Sequence, residues 1–208
     1  MPTYFSMTFE LNKGPNAIGE FCNVLRQSGP KFKSGFWGFE NDSFDDIVKW
    51  NQSKLDDDFI LGFTEHYSHG YKQMLFEYSD FTEVRLFVMN RREGRTFSVH
   101  LIVPEDDLVE YAEENGRYTE KRMQGRMDHL EQLAKTVWAD SSVLTIQTSW
   151  ECSSAPAQYE EISEDRLPQT EPFSIVPDTK YHSQWNLKAC IIGRNGRFLK
   201  NDDNWFWC

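Results

Sequence analysis

Apolar and polar residues alternate along several stretches of the chain, and this alternation predicts β-strands. Between residues 4 and 11 every second residue, beginning with Phe5, is large and apolar. The residues between them, such as Ser6, Thr8 and Glu10, are polar. A period of two with one apolar face is typical of a strand that is buried on one side only.

Helical spacing of apolar residues predicts two helices in the first sixty residues. The first follows the turn at residues 12–15, with Asn16 as its expected N-cap, and ends at Ser28-Gly29-Pro30. The second runs from about Phe44 to Leu55 and begins at Ser43-Phe44-Asp45-Asp46, which has the spacing of a capping box.

The clearest periodicity lies between Tyr71 and Trp150. Three alternating runs, at residues 74–78, 84–89 and 97–103, predict strands. Short connections between these runs favour an antiparallel meander. The run from Val143 to Trp150 predicts a fourth strand.

Two helices are predicted between the third and fourth of these strands. The acidic stretch from Glu105 to Glu114 predicts a short helix with acids at its favourable end. A long helix is expected from about Tyr118 to Trp138, where apolar residues recur every three or four positions. Such a helix is expected to lie across one face of the sheet.

The composition changes at residues 152–179, which are rich in acids and proline and predict an extended excursion with a short strand at Phe173–Val176. Gly193-Arg194-Asn195-Gly196 then predicts a hairpin. The apolar tail at Trp205–Cys208 is expected to dock, on its own domain or on a partner. The expected fold is therefore α+β, formed by residues 1–208 as one domain: a mainly antiparallel sheet (a meander plus further strands), one long helix packed on a face, and two or three shorter helices.

The net charge of −11 argues against nucleic acid and anionic membranes as partners, because like charges repel. It is compatible with a basic protein partner or with solubility alone. The four cysteines form no CxxC pair, and no targeting or membrane segment is visible, so a cytoplasmic location is expected. Cys22 and Cys190 occupy apolar faces, which predicts packing and not reactivity.

No motif of a known catalytic or cofactor-binding class is present, so an enzyme is not favoured and neither a cofactor nor a metal is predicted. The spacing closest to a metal site is Glu65-His66-x-x-His69, which polar loop residues explain better.

Two groups of acids, together with one tryptophan, point to a basic protein partner. Acidic fields with aromatic anchors can steer a protein onto a basic active site. The predicted partner-binding residues are Asp45, Asp46, Trp50, Asp56, Asp57, Asp58, Glu105, Asp106, Asp107, Glu110, Glu113 and Glu114. An acidic surface that serves only solubility explains the same residues.

In size, acidity and tryptophan content the chain resembles the cytoplasmic immunity proteins of bacterial toxin–immunity systems, with Trp37, Phe44-Asp45-Asp46 and Trp50 as the nearest local feature. The resemblance implies non-enzymatic, one-to-one inhibition of a cognate toxin by occlusion.

The alternative is an enzyme or small-ligand protein with a pocket between the sheet and the aromatic loop at residues 35–39. Tyr78, Arg85 and His100 are the expected polar lining of that pocket. A deep pocket with convergent polar groups would favour this alternative, and a flat acidic face with exposed rings would favour the protein binder. A third hypothesis, that the chain is a structural subunit of an oligomer, rests on the apolar tail.

Overall fold

A large antiparallel sheet dominates the computed structural model, which describes residues 3–60, 70–91, 94–114, 117–139 and 143–201. Nine strands follow the order β10-β11-β9-β8-β1-β5-β4-β3-β2, and two more, β6 and β7, form a separate ribbon. The strands are β1 (Tyr4–Asn12), β2 (Lys31–Gly35), β3 (Met74–Glu77), β4 (Val84–Asn90), β5 (Thr96–Pro104), β6 (Val109–Glu114), β7 (Arg117–Arg122), β8 (Val143–Trp150), β9 (Phe173–Pro177), β10 (Lys188–Ile192) and β11 (Gly196–Lys200). The mixed α+β class and the β3-β4-β5 meander are confirmed.

Three α-helices accompany the sheet in the described residues: α1 (Ala17–Gln27), α2 (Phe44–Asp56) and α3 (Gln124–Trp138). The Oγ of Ser43 accepts a hydrogen bond from the Asp46 amide at 3.2 Å, which confirms the Ser43 half of the predicted capping box. The Asp46 carboxylate accepts from the Ser43 hydroxyl at 2.6 Å. The predicted cap of α1 is wrong, because Asn16 has a left-handed backbone (φ 58°) and its side chain caps no amide. Within the described ranges, no helix has the length and apolar character needed to span a bilayer.

The predicted helix at Glu105–Glu114 is wrong. Glu105–Asp107 form a single 3₁₀ turn, and the chain then continues as β6, antiparallel to β7. Acidic Glu110 lies opposite basic Lys121 in this ribbon, with their charged atoms 3.0 Å apart. Cross-strand charge pairing favours the ribbon, and it is a long-range interaction that the local pattern of acids does not reveal.

The long helix begins at Gln124, six residues later than predicted, because Arg117–Arg122 pair with β6. Strand β2 was not predicted as a strand. It lies at the edge of the sheet with one apolar residue in Phe32, so its sequence shows little alternation.

One face of the sheet, which we call the inner face, carries the main hydrophobic core. We call the opposite face the outer face. In β1 the inward residues Phe5, Met7, Phe9 and Leu11 are fully buried. They form one cluster with buried residues of all three helices, among them Ile18 of α1, Ile47 of α2 and Leu130 of α3.

The outer face of the sheet carries a second, smaller core on β9 and β11. Val176 and Leu199 pack there against Ala157, Ile162 and Trp185. The Nε1 of Trp185 donates to the Glu164 carbonyl at 3.1 Å, which holds the region after β9 against the 152–179 segment. This segment therefore covers part of the outer face. The Glu65-His66-x-x-His69 spacing and the tail at Trp205–Cys208 lie outside the described residues.

Trp138, the last residue of α3, contacts the hairpin between β10 and β11. The Trp138 Nε1 donates to the Gly193 carbonyl at 3.0 Å, and a Cβ placed on Gly196 would lie 2.3 Å from that same nitrogen. Because Trp138 is fully buried, its indole has no room to move aside.

We expect Gly196→Ala to lower the free energy of unfolding by about 1–3 kcal/mol, since it overpacks a filled site. Gly193→Ala is the matched control, because a Cβ there meets nothing within 4 Å. Urea denaturation of both variants measures the effect, and equal stability of the two variants would contradict the packing described.

Candidate functional site

Polar side chains line up across the outer face at the centre of the sheet. Thr8 of β1 lies opposite His100 of β5 and opposite Gln147 of β8. Glu10 lies opposite Ser98 in the same register. Antiparallel pairing thus gathers polar groups from three strands that are far apart in sequence.

His100 is held between hydroxyl groups and an aromatic ring. Its Nδ1 lies 3.1 Å from the Oγ1 of Thr8, and its Nε2 lies 3.0 Å from the Oγ of Ser98. The imidazole stacks on Phe87 with ring centroids 4.9 Å apart. Desolvation, followed by the nearby charge of Arg91, lowers the pKa of His100 to about 4, so the ring is neutral at pH 7.

Glu10 is a buried carboxylate that holds two parts of the chain together. One oxygen accepts from the Thr96 hydroxyl and the other from the Tyr159 amide, each at 2.7 Å. Burial raises the pKa of Glu10, and these two hydrogen bonds oppose the rise.

A cavity of about 130 Å³ lies beside these groups, and we call it the polar cavity. Its floor is formed by the central strands and its wall by residues 155–158 of the 152–179 segment. The side chain of Gln147 fixes this wall by donating to the Ala157 carbonyl at 2.7 Å. The polar residues of the lining include Thr8, Glu10, Asn90, Ser98, His100 and Gln147.

The lining of the polar cavity provides hydrogen-bonding groups. The Asn90 side chain lies with Leu86 and Val88 on the core side of β4, where its amide donates to Asp58 and to the Phe59 carbonyl. Among the described residues, no group of three or more His, Cys, Asp or Glu side chains is placed to hold a metal ion. The site can therefore bind a polar molecule, and the geometry identifies no cofactor.

Cys22, Cys152 and Cys190 do not line this cavity. Cys22 is buried in α1, and desolvation raises the pKa of its thiol to about 12. The prediction that Cys190 is packed is wrong: it is exposed on the edge strand β10, most of whose side chains face solvent.

The three residues expected to line a pocket near residues 35–39 are not brought together. His100 lines the polar cavity. Arg85 lies between the rings of Tyr4 and Phe36, at 4.8 and 4.6 Å from their centroids. Tyr78 donates to the His129 carbonyl at 3.0 Å. A separate cavity of about 60 Å³ does lie beside that loop, but none of these three residues lines it.

Sequence reasoning missed Thr8, Glu10 and Ser98 as site residues. In the sequence these residues appear only as the polar positions of the alternating patterns of β1 and β5. Such a pattern shows that one face of each strand is polar and nothing more. The register that places these halves side by side depends on long-range pairing.

The first predicted acidic group lies on α2 and just beyond it. Asp45, Asp46, Asp56 and Asp57 are exposed. Asp58 differs, because its carboxylate accepts from Lys13 at 2.7 Å and from Asn90 at 3.0 Å. It joins the end of α2 to the turn after β1 and to β4.

Trp50 is held by internal contacts. Its Nε1 donates to the Gly70 carbonyl at 2.9 Å. The ammonium groups of Lys54 and Lys72 lie 4.9 and 4.6 Å from its ring centroid. The ring therefore helps to fix α2 to the chain that precedes β3.

The second acidic group divides into buried and exposed members. Asp107 is buried and accepts from the Thr82 amide at 2.8 Å and from Arg126 at 3.1 Å. Glu105 accepts from the Tyr111 hydroxyl at 2.5 Å. The exposed members are Asp106, Glu110 and Glu113, and the side chain of Glu114 is outside the described structure.

The two acidic groups do not form one surface. Asp58 is bonded to Asn90 at one end of β4, and Asp107 is bonded to Thr82 just before its other end. At about 3.3 Å per residue, these attachment points are roughly 25 Å apart.

The chain matches no protein-family model, no curated protein and no solved structure in the comparisons made.

The low pKa of His100 predicts a loss of stability in mild acid. The imidazole is protonated near pH 6.5 in the unfolded chain but only near pH 4 in the folded protein. The free energy of unfolding therefore falls as the pH drops through this window. Between about pH 7.5 and about pH 5, the free energy of unfolding should fall by about 2 kcal/mol more for the unsubstituted protein than for His100→Gln.

Denaturation at each pH measures this difference, and Glu10, whose raised pKa acts in the opposite sense, is common to both proteins. A His100→Gln profile parallel to that of the unsubstituted protein would contradict the assignment.

Proposed function

We propose that this protein binds a small organic molecule in the polar cavity. The observation that carries the proposal is the placement of His100 and Glu10, both desolvated and with shifted pKa values, beside a cavity of about 130 Å³. Groups of this kind in a concavity are typical of binding and active sites.

The cavity is organised before any ligand arrives. Its floor belongs to strands in the middle of a nine-stranded sheet. Its wall is attached to that floor by the Tyr159–Glu10 and Ala157–Gln147 hydrogen bonds. A site held on rigid strands loses little conformational entropy when it binds, which favours affinity.

The lining favours a small molecule with one polar end. His100 is neutral at pH 7, and the hydroxyls of Thr8 and Ser98 can each donate or accept. Met89 and Ala155 supply apolar surface to the same cavity. Because drug-sized sites are about 300–1,000 Å³, the ligand fits only if it is considerably smaller than a drug.

A bulky residue at the cavity wall should block this binding. Ala155 is exposed, so Ala155→Trp covers the cavity without disturbing a buried side chain. Ala189→Trp is the matched control, since Ala189 is exposed on β10, away from the cavity.

We expect ligand-observed NMR with a set of small polar fragments to detect molecules that bind the unsubstituted protein and Ala189→Trp. The same fragments should bind Ala155→Trp at least about tenfold more weakly, equivalent to about 1.4 kcal/mol. Equal binding to both variants, or no binder in the set, would refute the proposal.

A second candidate is the inhibition of a basic protein, as the resemblance to immunity proteins implies. It is favoured by the arrangement of the acids on α2. Residues 45 and 56 are separated by about three helical turns, as are residues 46 and 57, so these four exposed aspartates share one side of the helix. An exposed acidic stripe of this kind steers a basic partner towards the surface.

The double substitution Asp56→Lys/Asp57→Lys should slow association with a basic partner by about tenfold at low salt. It leaves Asp58 and its ion pair with Lys13 unchanged. Glu164→Lys/Asp165→Lys changes the net charge equally at exposed positions of the 152–179 segment and is the control.

The measurement is the association rate of a partner isolated from extracts of the source cells, at several salt concentrations. If both double variants associate at the same rate, the stripe on α2 has no specific part in binding.

A further inference from the structure

Five aromatic residues surround a second cavity beside β4. Phe36, Trp37 and Phe39 come from the loop after β2, Tyr71 from the chain before β3, and Phe87 from β4. We call these five residues and Gln73, which also lines the cavity, the aromatic box. Its volume is about 60 Å³, and it shares no lining residue with the polar cavity.

The loop that supplies three of the rings is held in place. The Phe36 amide donates to the Gln73 carbonyl at 3.0 Å. A Cβ on Gly35 would lie 2.1 Å from the Phe39 carbonyl oxygen, so only glycine permits this close approach. Lys72 also binds Asp42 at 2.5 Å, which fixes the far end of the loop.

Two aromatic rings of the box already contact cations of the protein. The Lys72 ammonium lies 4.8 Å from the Phe39 centroid, and the Arg85 guanidinium lies 4.6 Å from that of Phe36. Lys72 is paired with Asp42, and Arg85 lies 3.4 Å from Glu83. Because these positive charges are balanced by carboxylates, they repel a further cation only weakly.

Gln73 adds a polar group that lacks a partner. Its Oε1 is buried and accepts no hydrogen bond in the described structure. A buried acceptor without a donor costs free energy, and an N–H group of a ligand in the box can relieve that cost after rotation of the amide.

We propose that the aromatic box binds the methylated ammonium group of a small protonated tertiary amine. The faces of aromatic rings carry negative potential and attract cations within about 6 Å, and methyl groups fill the apolar space between the rings. The remaining N–H supplies the donor that Gln73 lacks. The net charge of −11 favours the approach of a cation. This inference is independent of the ligand in the polar cavity.

The test compares a cation with a neutral molecule of the same shape. Protonated 2-(dimethylamino)ethanol and 3-methyl-1-butanol differ only in the replacement of N⁺–H by C–H. We expect calorimetric or NMR titration to show at least about fivefold tighter binding of the amine. Equal binding of the two probes, or no binding of the amine at millimolar concentrations, would overturn the proposal.

Substitutions of Trp37 locate the binding. Trp37 is 62% exposed, so its replacement spares the core. Trp37→Leu should weaken binding of the amine by about fivefold, whereas Trp37→Phe, which keeps a ring, should retain most of it. Phe81→Leu removes a ring that stacks on Tyr78 outside the box and should leave binding unchanged. Unchanged binding to Trp37→Leu would place the amine elsewhere and overturn the proposal.

Two further experiments complete the test. The first distinguishes between possible sources of the ammonium group, and the second shows which of the two cavities binds it. A short peptide with dimethylated lysine tests whether a modified protein supplies the same ammonium group as the free amine. Ala155→Trp, which covers only the polar cavity, should bind the amine normally. Loss of amine binding in that variant would assign the amine to the polar cavity and not to the box.

Discussion

Strand β1 pairs with β5 on one side and with β8 on the other, and its alternation sets both faces of the sheet. The inward residues from Phe5 to Leu11 belong to the main core. The outward residues Thr8 and Glu10 belong to the polar cavity. A slip of one residue in this register would exchange the two sets, so the core energetically enforces the geometry of the site.

The outer face shows how a sheet can be covered by irregular chain. Buried polar groups are costly unless they are hydrogen-bonded, and a segment without regular structure brings many unpaired amides and carbonyls. Glu10 and Gln147 meet this need by bonding the Tyr159 amide and the Ala157 carbonyl. The same side chains therefore stabilise the fold and shape the cavity, because their hydrogen bonds hold its wall in place.

The sequence predicted most of the strands and α2, because period-two alternation and the Ser43 cap are local signals. It failed at residues 105–122, where charged residues of two strands pair with each other and no apolar period exists. For the site, it placed an aromatic loop beside a cavity but assigned to the lining Tyr78 and Arg85, which do not line it. The position of Thr8 beside His100 follows from strand register, which no single stretch of sequence contains.

The sheet topology also has a consequence for how the chain reaches its native state. Phe9 of β1 pairs with Val99 and with Ile146, both far along the chain. Pairings of such long range close slowly, because the entropy of a large loop is lost before its contacts form. During synthesis β1 is exposed, with an apolar face and two open edges, until β5 and then β8 have been made. A strand exposed in this way is prone to intermolecular pairing until its own partners are present.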